Sequence, residues 1–261
     1  MKTQVAIIGA GPAGLMLGHL LRQNDIDVVI VERQTRAHVE GRIRAGVLED
    51  TTTNILDRLG INERLHAEGL PHGGVNLADG ERLIHIDIVG LTGRPVMVYG
   101  QTEVTKDLID AAPARGLEIV WEATSVALHD IGSESPSVTF VKDGESLRID
   151  ARFIAGCDGF HGPSRKAMPE SVLNTFELVY PFGWLGILAD VPPCNEELIY
   201  ANHERGFALA SMRSHTRSRY YIQVPLDEKL EDWPDDRLWE ELAIRLGPEV
   251  APHITAGPAL E

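Results

Sequence analysis

The feature that most constrains this chain is Gly9-Ala10-Gly11-Pro12-Ala13-Gly14, set between two structured runs. Gln4 to Ile8 reads as a short buried strand, apolar, β-branched and ended by Gly9. Pro12 to Arg22 reads as a helix, with proline tolerated in its first turn. Asp27 to Glu32 is a second buried strand. Strand, helix and strand within about thirty residues make a βαβ unit and imply a parallel sheet. The glycines permit a tight turn, a close approach of backbone to a pyrophosphate, and close packing of helix on strand. The helix N-terminus offers amides and a partial positive charge to phosphates. Glu32 ends the second strand, where a carboxylate grips a ribose hydroxyl. A dinucleotide site built on Gly9, Gly11, Gly14 and Glu32 is therefore expected, against the plainer alternative of a glycine-rich turn with a surface glutamate. The motif alone does not separate FAD from NAD.

The 261 residues suffice for roughly two domains at ~150 residues each. With 43% hydrophobic and 24% charged residues the composition is that of an ordinary globular protein, not a disordered one. The formal net charge of -15 argues against nucleic acid or an anionic membrane as partner, since both need a basic face. An anionic substrate would then have to rely on a local arginine cluster. Cys157 and Cys194 build neither a disulfide framework nor a metal motif, so no metal and a reducing cytoplasm are expected. The apolar stretch Val5 to Leu21 is too short and glycine-rich for a spanning helix, and no A-x-A cleavage site follows it.

Further along, Thr52 to Leu59 and Thr102 to Ala112 read as helices. Leu83 to Val89, Val96 to Tyr99, Ser137 to Val141, Leu147 to Ile149 and Phe153 to Ala155 read as strands. From Pro181 to Pro225 the chain is strand-rich. Asp235 to Leu246 reads as a final helix, acidic at its start and followed by Gly247. The expected fold is α/β, α+β overall: a Rossmann-like dinucleotide domain with a parallel sheet over residues 1–175, and a smaller, mainly antiparallel substrate domain over residues 176–261. Whether residues 73–97 lend strands to the second domain is open at this point.

Two more segments carry chemistry. Arg42 and Arg44, two apart on the loop Gly41 to Gly46, are placed to hold phosphates, or else form a solvated basic loop. Gly156-Cys157-Asp158-Gly159-Phe160-His161-Gly162-Pro163-Ser164-Arg165 follows a strand and resembles the Asp-Gly fingerprint of flavoprotein hydroxylases. Asp79-Gly80 and Asp143-Gly144 read as plain turns. The segments GRIRAGVLE (Gly41 to Glu49), VYGQTEV (Val98 to Val104), YPFGWLG (Tyr180 to Gly186) and Leu198 to Pro225 extend the likeness across essentially the whole chain. The chain resembles the FAD-dependent aromatic hydroxylases, in particular those acting on 4-hydroxybenzoate.

The resemblance implies that Glu32, Arg44, Gln101 and Asp158 hold FAD, and that Arg33, Arg42, His161 and Arg165 help hold NADPH, with NADH as the other option. Arg36 and His38 would add positive character for a 2′-phosphate. It implies a 4-hydroxybenzoate substrate, O₂ as co-substrate, 3,4-dihydroxybenzoate as product, and a flavin C4a-hydroperoxide that hydroxylates the ring. A homodimer is left open. Phe207 to Arg213 and Ser218 to Val224 read as a hairpin, in which Ser211 and Arg213 share one face, as do Arg219, Tyr221 and Gln223. The strand pattern alone favours a solvated polar face. The resemblance reverses that and implies a carboxylate held by Arg213 with hydroxyls from Ser211 and Tyr221, Tyr200 at the substrate phenol, and Arg219 bracing the flavin. Trp184 is either near the flavin or a core residue.

Three rivals remain. One is an NAD(P)-dependent dehydrogenase without flavin. Another is a full-length enzyme acting on a different hydroxylated aromatic acid. The third is an inactive nucleotide-binding fragment: the family's Gly-Asp fingerprint does not occur in this chain, and the family's last strand, flavin-facing loop and C-terminal helices are expected beyond Glu261.

Overall fold

Val5 to Ile8 are buried without interruption, and so are Val28 to Val31. Such runs suit strands covered on both faces. In the computed structural model, which describes residues 1–42 and 45–260, they lie side by side and parallel. Helix Pro12–Gln23 connects them, completing the βαβ unit. The chain divides into two units. One comprises Met1–Ala45, Asn54–Ala67 and Gly100–Phe176; the other comprises Gly46–Thr53, Glu68–Tyr99 and Glu177–Glu261.

The first unit is built on a six-stranded sheet in the order Glu118–Val120, Val28–Val31, Lys2–Ile8, Glu145–Gly156, Ser137–Lys142, Thr124–His129. The first four strands run parallel and the last two return antiparallel. Ala6 and Ile8 pack with Phe140 and Ile149 on one face. Ile7 and Ile30, which point to the opposite face, are also fully buried. Leu147 to Ile149 and Phe153 to Ala155, expected as separate strands, belong to one strand of 12 residues. Its first half pairs antiparallel with Ser137–Lys142 and its second half parallel with Lys2–Ile8, so the change of partner hides one continuous strand. Asp143 and Gly144, both at positive φ (52° and 80°), make the two-residue hairpin turn between the antiparallel strands.

The second unit carries a six-stranded sheet in the order Phe182–Ala189, Arg217–Pro225, Ala208–Ser214, Leu198–Ala201, Gly74–Ala78, Leu83–Asp87. All neighbours are antiparallel except Leu198–Ala201 and Gly74–Ala78. The expected strand to Val89 stops at Asp87, whose carboxylate caps a short helix, Ile88–Thr92, through the Gly90 amide. Helix Asp235–Leu246 closes one face, burying Leu238, Trp239 and Leu242 with Ile187, Ile199, Tyr220 and Ile222. A three-stranded sheet of Val47–Leu48, Val96–Val98 and Leu70–His72 completes the unit. Among the described residues no helix is long and apolar enough to cross a membrane.

Candidate functional site

The glycine turn of the first unit is made of backbone. Gly9 has φ +102°, and a Cβ there would lie 2.5 Å from the Cys157 carbonyl oxygen. A Cβ on Gly14 would lie 2.0 Å from the Gly9 carbonyl oxygen. Both glycines are demanded by the protein's own packing, which brings the turn against the Asp158 segment. Gly11 differs: a Cβ there would meet nothing within 4 Å. Gly11 also caps the helix Pro12–Gln23 without any side-chain hydrogen bond, and the first turn contains no acidic residue. The helix end is therefore open to an anion. Glu32 is fixed beside it, its carboxylate accepting the Ala10 and Gln34 amides at 2.8 Å each.

Asp158 accepts the Ser164 amide at 2.9 Å and so caps the short helix Pro163–Ala167. The loop is tight around that carboxylate: a Cβ on Gly162 would overlap it at 2.1 Å. The guanidinium of Arg165 lies 4.6 Å over the Phe160 ring, which meets the exposed His161 edge-on at 5.0 Å. Burial and neighbouring Asp158 push the Cys157 thiol up, so it is no ready nucleophile.

The second site is a sheet face. Opposite the face closed by Asp235–Leu246, side chains stand in rows set by strand register. Trp184, Gln223 and Phe207 form one row. Gly186, Tyr221, Leu209 and Tyr200 form the next. Leu188, Arg219 and Ser211 follow. Arg213 comes last, at a bulge between the Met212 and Ser214 pairings. The bulge re-aims its side chain. Phe182, Trp184, Tyr200, Asn202, Phe207, Leu209, Tyr221 and Gln223 line a cavity of about 640 Å³. Trp184 packs edge-on against Phe207 at 5.2 Å, and Phe207 lies 6.0 Å from the Tyr200 ring. Gly186 leaves room for Tyr221, whose ring carbon would stand 2.9 Å from a Cβ there.

The polar end of this face carries two guanidinium groups, Arg219 and Arg213. Burial pushes the Arg213 guanidinium below its ordinary value; the Tyr221 phenol opposes the shift and Arg219 adds to it. Among the described residues, Tyr221 and Arg219 are the groups that act on it. Arg219 also lies 5.1 Å over the Tyr221 ring. The Ser211 hydroxyl, buried, is turned to the Met212 carbonyl at 3.3 Å.

The family model for the FAD binding domain matches residues 2–261. The chain belongs to the FAD binding domain family. It is 52% identical over 262 residues to p-hydroxybenzoate hydroxylase of Acinetobacter baylyi, covering 100% of this chain and 65% of that protein. It is 25% identical over 248 residues to a 3-(3-hydroxy-phenyl)propionate/3-hydroxycinnamic acid hydroxylase of Mycobacterium sp. (strain JLS), covering 89% of this chain and 41% of that one. The chain thus spans less than two thirds of these relatives. PqsL, a probable FAD-dependent monooxygenase from Pseudomonas aeruginosa, shares the fold with a TM-score of 0.81 at 19% identity, over 98% of this chain and 70% of its own. So does p-nitrophenol 4-monooxygenase PnpA from Pseudomonas putida, at 0.78 and 16%, over 95% and 64%. A flavin-free dehydrogenase is thereby set aside.

FAD fits the turn. The only motif glycine that the protein's packing does not require is the one facing the open helix end, where a pyrophosphate would lie. Glu32 stands beside that end, and Gln101 begins the helix Gln101–Ala111 of the same unit. Arg33 and Arg42 are exposed in this unit, whereas Arg36, enlisted above for a 2′-phosphate, is paired with Glu40 at 2.6 Å and with Asp110. Those two carboxylates neutralise it, which corrects the expectation. Arg44 lies outside the described residues. Arg219 stands in the second unit, on the open face. Tyr200 and Tyr221 line the aromatic cavity, while Ser211 and Arg213 stand beyond its lining. Phe182, Asn202, Phe207 and Leu209 were not among the expected site residues. Extending the alternation of Ser211 and Arg213 back along the strand finds Leu209 and Phe207.

Proposed function

We propose that the chain serves a FAD-dependent monooxygenase that converts 4-hydroxybenzoate, NADPH, a proton and O₂ into 3,4-dihydroxybenzoate, NADP⁺ and water. The supporting observation is the row order of the open face. Arg213 stands at one end, then the row of Arg219 and Ser211, then the row of Tyr221, Leu209 and Tyr200, with the aromatic Trp184 and Phe207 beyond. A two-residue step along a strand covers about 7 Å, comparable to the reach of one para-substituted ring.

Bound FAD supplies the redox chemistry, passing electrons from the pyridine nucleotide to oxygen. Gly9, Gly11, Gly14 and Glu32 would hold its adenine half, with Gln101 and Asp158 further along and Arg219 as a brace. Arg33, Arg42, His161 and Arg165 would meet the nucleotide cosubstrate. On the substrate side, Arg213 takes the carboxylate with the Ser211 and Tyr221 hydroxyls, which a charge-assisted fork does well. Tyr200 takes the phenol oxygen. The carbon beside that oxygen is electron-rich only when the phenol has lost its proton. Moving its pKa from ~10 to ~7.5 takes about 3.4 kcal/mol of preference for the phenolate. One hydrogen bond to a charged acceptor contributes ~1.5–3 kcal/mol. The aromatic side chains of Phe182, Trp184 and Phe207 line the cavity at that end.

The test is the absorbance of bound 4-hydroxybenzoate across pH. The bound phenol should ionise well below its free value in the wild-type protein, and the Tyr200→Phe variant should move ionisation back upward. No binding, or ionisation identical to the free acid, would refute the reading. The cavity volume supports a second one. At about 640 Å³ it lies within the ~300–1,000 Å³ range of sites for larger ligands, which leaves room for a longer hydroxylated aromatic acid. Tighter binding of 3-(4-hydroxyphenyl)propionate than of 4-hydroxybenzoate would favour that alternative.

A further inference from the structure

The closed face of the second sheet contains an ion cluster that core packing does not explain. Glu241 and Arg245, one turn apart on the helix Asp235–Leu246, are 6% and 4% exposed. Buried charges are costly unless paired and fully hydrogen-bonded. Here they are paired. Arg245 Nε donates to Glu241 Oε1 at 3.0 Å. Arg205 closes on the same carboxylate as a fork, Nε to Oε1 at 2.8 Å and Nη2 to Oε2 at 2.7 Å. Arg205 is half-exposed, so the cluster reaches the surface through it.

What the cluster holds lies on the other side of the sheet. Arg245 Nη1 donates to the Gln223 carbonyl at 2.7 Å and to the Phe207 carbonyl at 3.4 Å. Those two residues are also bound to each other. The Phe207 amide donates to Gln223 Oε1 at 3.0 Å, and the Gln223 amide to the Phe207 carbonyl at 2.9 Å. Between Arg205 and Phe207 sits Gly206 at φ +112°, where a Cβ would stand 3.0 Å from Arg245 Nη1. The chain thus turns sharply from the residue that grips Glu241 to the residue whose ring meets Trp184 and Tyr200.

We propose that Glu241 is a positioning residue for the aromatic end of the cavity: through Arg205 and Arg245 it holds the Phe207–Gln223 rung, and with it the wall against which the phenol end of a hydroxylated aromatic acid rests. An apolar cluster would fill the same space without fixing carbonyl directions. A planar guanidinium fork spans a carboxylate and two carbonyls at once. The identity of the ligand rests on the function proposed above; the coupling of helix to rung does not.

Two measurements separate these. The first is native-state amide exchange, well below the unfolding transition, on the wild-type protein, Glu241→Gln and Arg205→Met. The Phe207 and Gln223 amides should exchange about tenfold faster in both variants, as local opening predicts, while the Ile187–Tyr220 rung is unchanged. The second is the affinity for 4-hydroxybenzoate and for benzoate, which lacks the phenol. The former should weaken about tenfold and the latter less than about twofold, since only the phenol end is displaced. Arg205→Met carries the test if Glu241→Gln does not fold. Uniform acceleration across the sheet, or unchanged exchange at Phe207 and Gln223, overturns the proposal. So does an equal loss for both ligands. A wild-type protein that binds no 4-hydroxybenzoate removes the substrate assignment and leaves exchange to decide the positioning.

Discussion

The glycine turn of the first unit offers a ligand its backbone, whereas the open face of the second unit offers side chains. At Gly9 and Gly14 the protein has no room for a Cβ, and at Gly11 it has room but would lose the opening. On the open face, by contrast, Tyr200, Ser211, Arg213 and Tyr221 each stand on a strand whose pairing does not depend on what the side chain is. A backbone site couples binding to folding. A side-chain site lets each contact be removed alone. The two sites should therefore fail in different ways.

The sharpest separation comes from two glycines of one motif. Gly14→Ala sets a Cβ 2.0 Å from a backbone oxygen that cannot move without its strand. It should cost about 3 kcal/mol or more of stability, as backbone clashes and strain do. Gly11→Ala should leave stability within about 0.5 kcal/mol. Its FAD affinity should nevertheless fall about 100-fold, or roughly 2.7 kcal/mol. Denaturant unfolding and FAD titration read the two effects separately. Wild-type FAD affinity in Gly11→Ala would mean the pyrophosphate lies elsewhere.

On the open face, Arg213→Ala should weaken 4-hydroxybenzoate by roughly 2–5 kcal/mol, the usual loss when one partner of a desolvated charge pair is removed. FAD binding should be untouched. Calorimetric titration of both ligands checks this, and an unchanged substrate affinity would show that Arg213 does not hold the carboxylate. A smaller effect is expected at Arg33 and Arg42. With Arg36 occupied by Glu40 and Asp110, these two are exposed arginines near the second strand, among the described residues, that could meet a 2′-phosphate. Arg42→Ala should reduce the NADPH-over-NADH preference about tenfold, the weight of about 1.4 kcal/mol. Steady-state kinetics with both nucleotides, showing the same preference in the variant, would contradict that role.

The contrast between backbone and side-chain sites also explains what could be read in advance. Gly9, Gly11, Gly14 and Glu32 sit within one local βαβ unit, so spacing alone located the glycine turn and the parallel sheet. The final helix, Asp235–Leu246, carried its own acidic start and glycine stop. The open face needed more. Period two put Ser211 near Arg213, but the bulge at Arg213 depends on the partner strand and leaves no local mark. The parallel pairing of Gly74–Ala78 with Leu198–Ala201 joins segments more than a hundred residues apart. The Arg36–Asp110 pairing joins residues remote in sequence, although the Glu40 partner stands only four residues away. The Arg205–Glu241 fork likewise joins residues remote in sequence.

The smallest effect concerns acid, and it separates a buried histidine from a buried carboxylate. In the first unit His19 is fully buried, with Nε2 bonded to the Leu108 carbonyl at 2.7 Å. Burial pushes its pKa below the ordinary 6.5, against that hydrogen bond, with Arg115 adding to the lowering. The unfolded chain therefore binds a proton that the folded one resists. Stability from this site is complete above pH 6.5 and declines as pH falls below it. In the second unit the Arg205 and Arg245 guanidinium groups hold the Glu241 carboxyl down at about 2, against an ordinary 4.5. Its contribution persists to pH 4.5 and is lost only as pH drops toward 2. Acid should thus remove the His19 contribution before the Glu241 contribution, with a slope of at most about 1.4 kcal/mol per pH unit for a single proton; His72 of the second unit, which burial also holds below its ordinary value, declines in the same range as His19. Unfolding free energies between pH 7.5 and 5, with His19→Gln beside the wild type, test the order. The glutamine can still donate to Leu108 but does not titrate, so the slope in this range should flatten. An identical slope in the variant would mean that the early acid loss arises elsewhere, His72 being the other buried histidine held below its ordinary value.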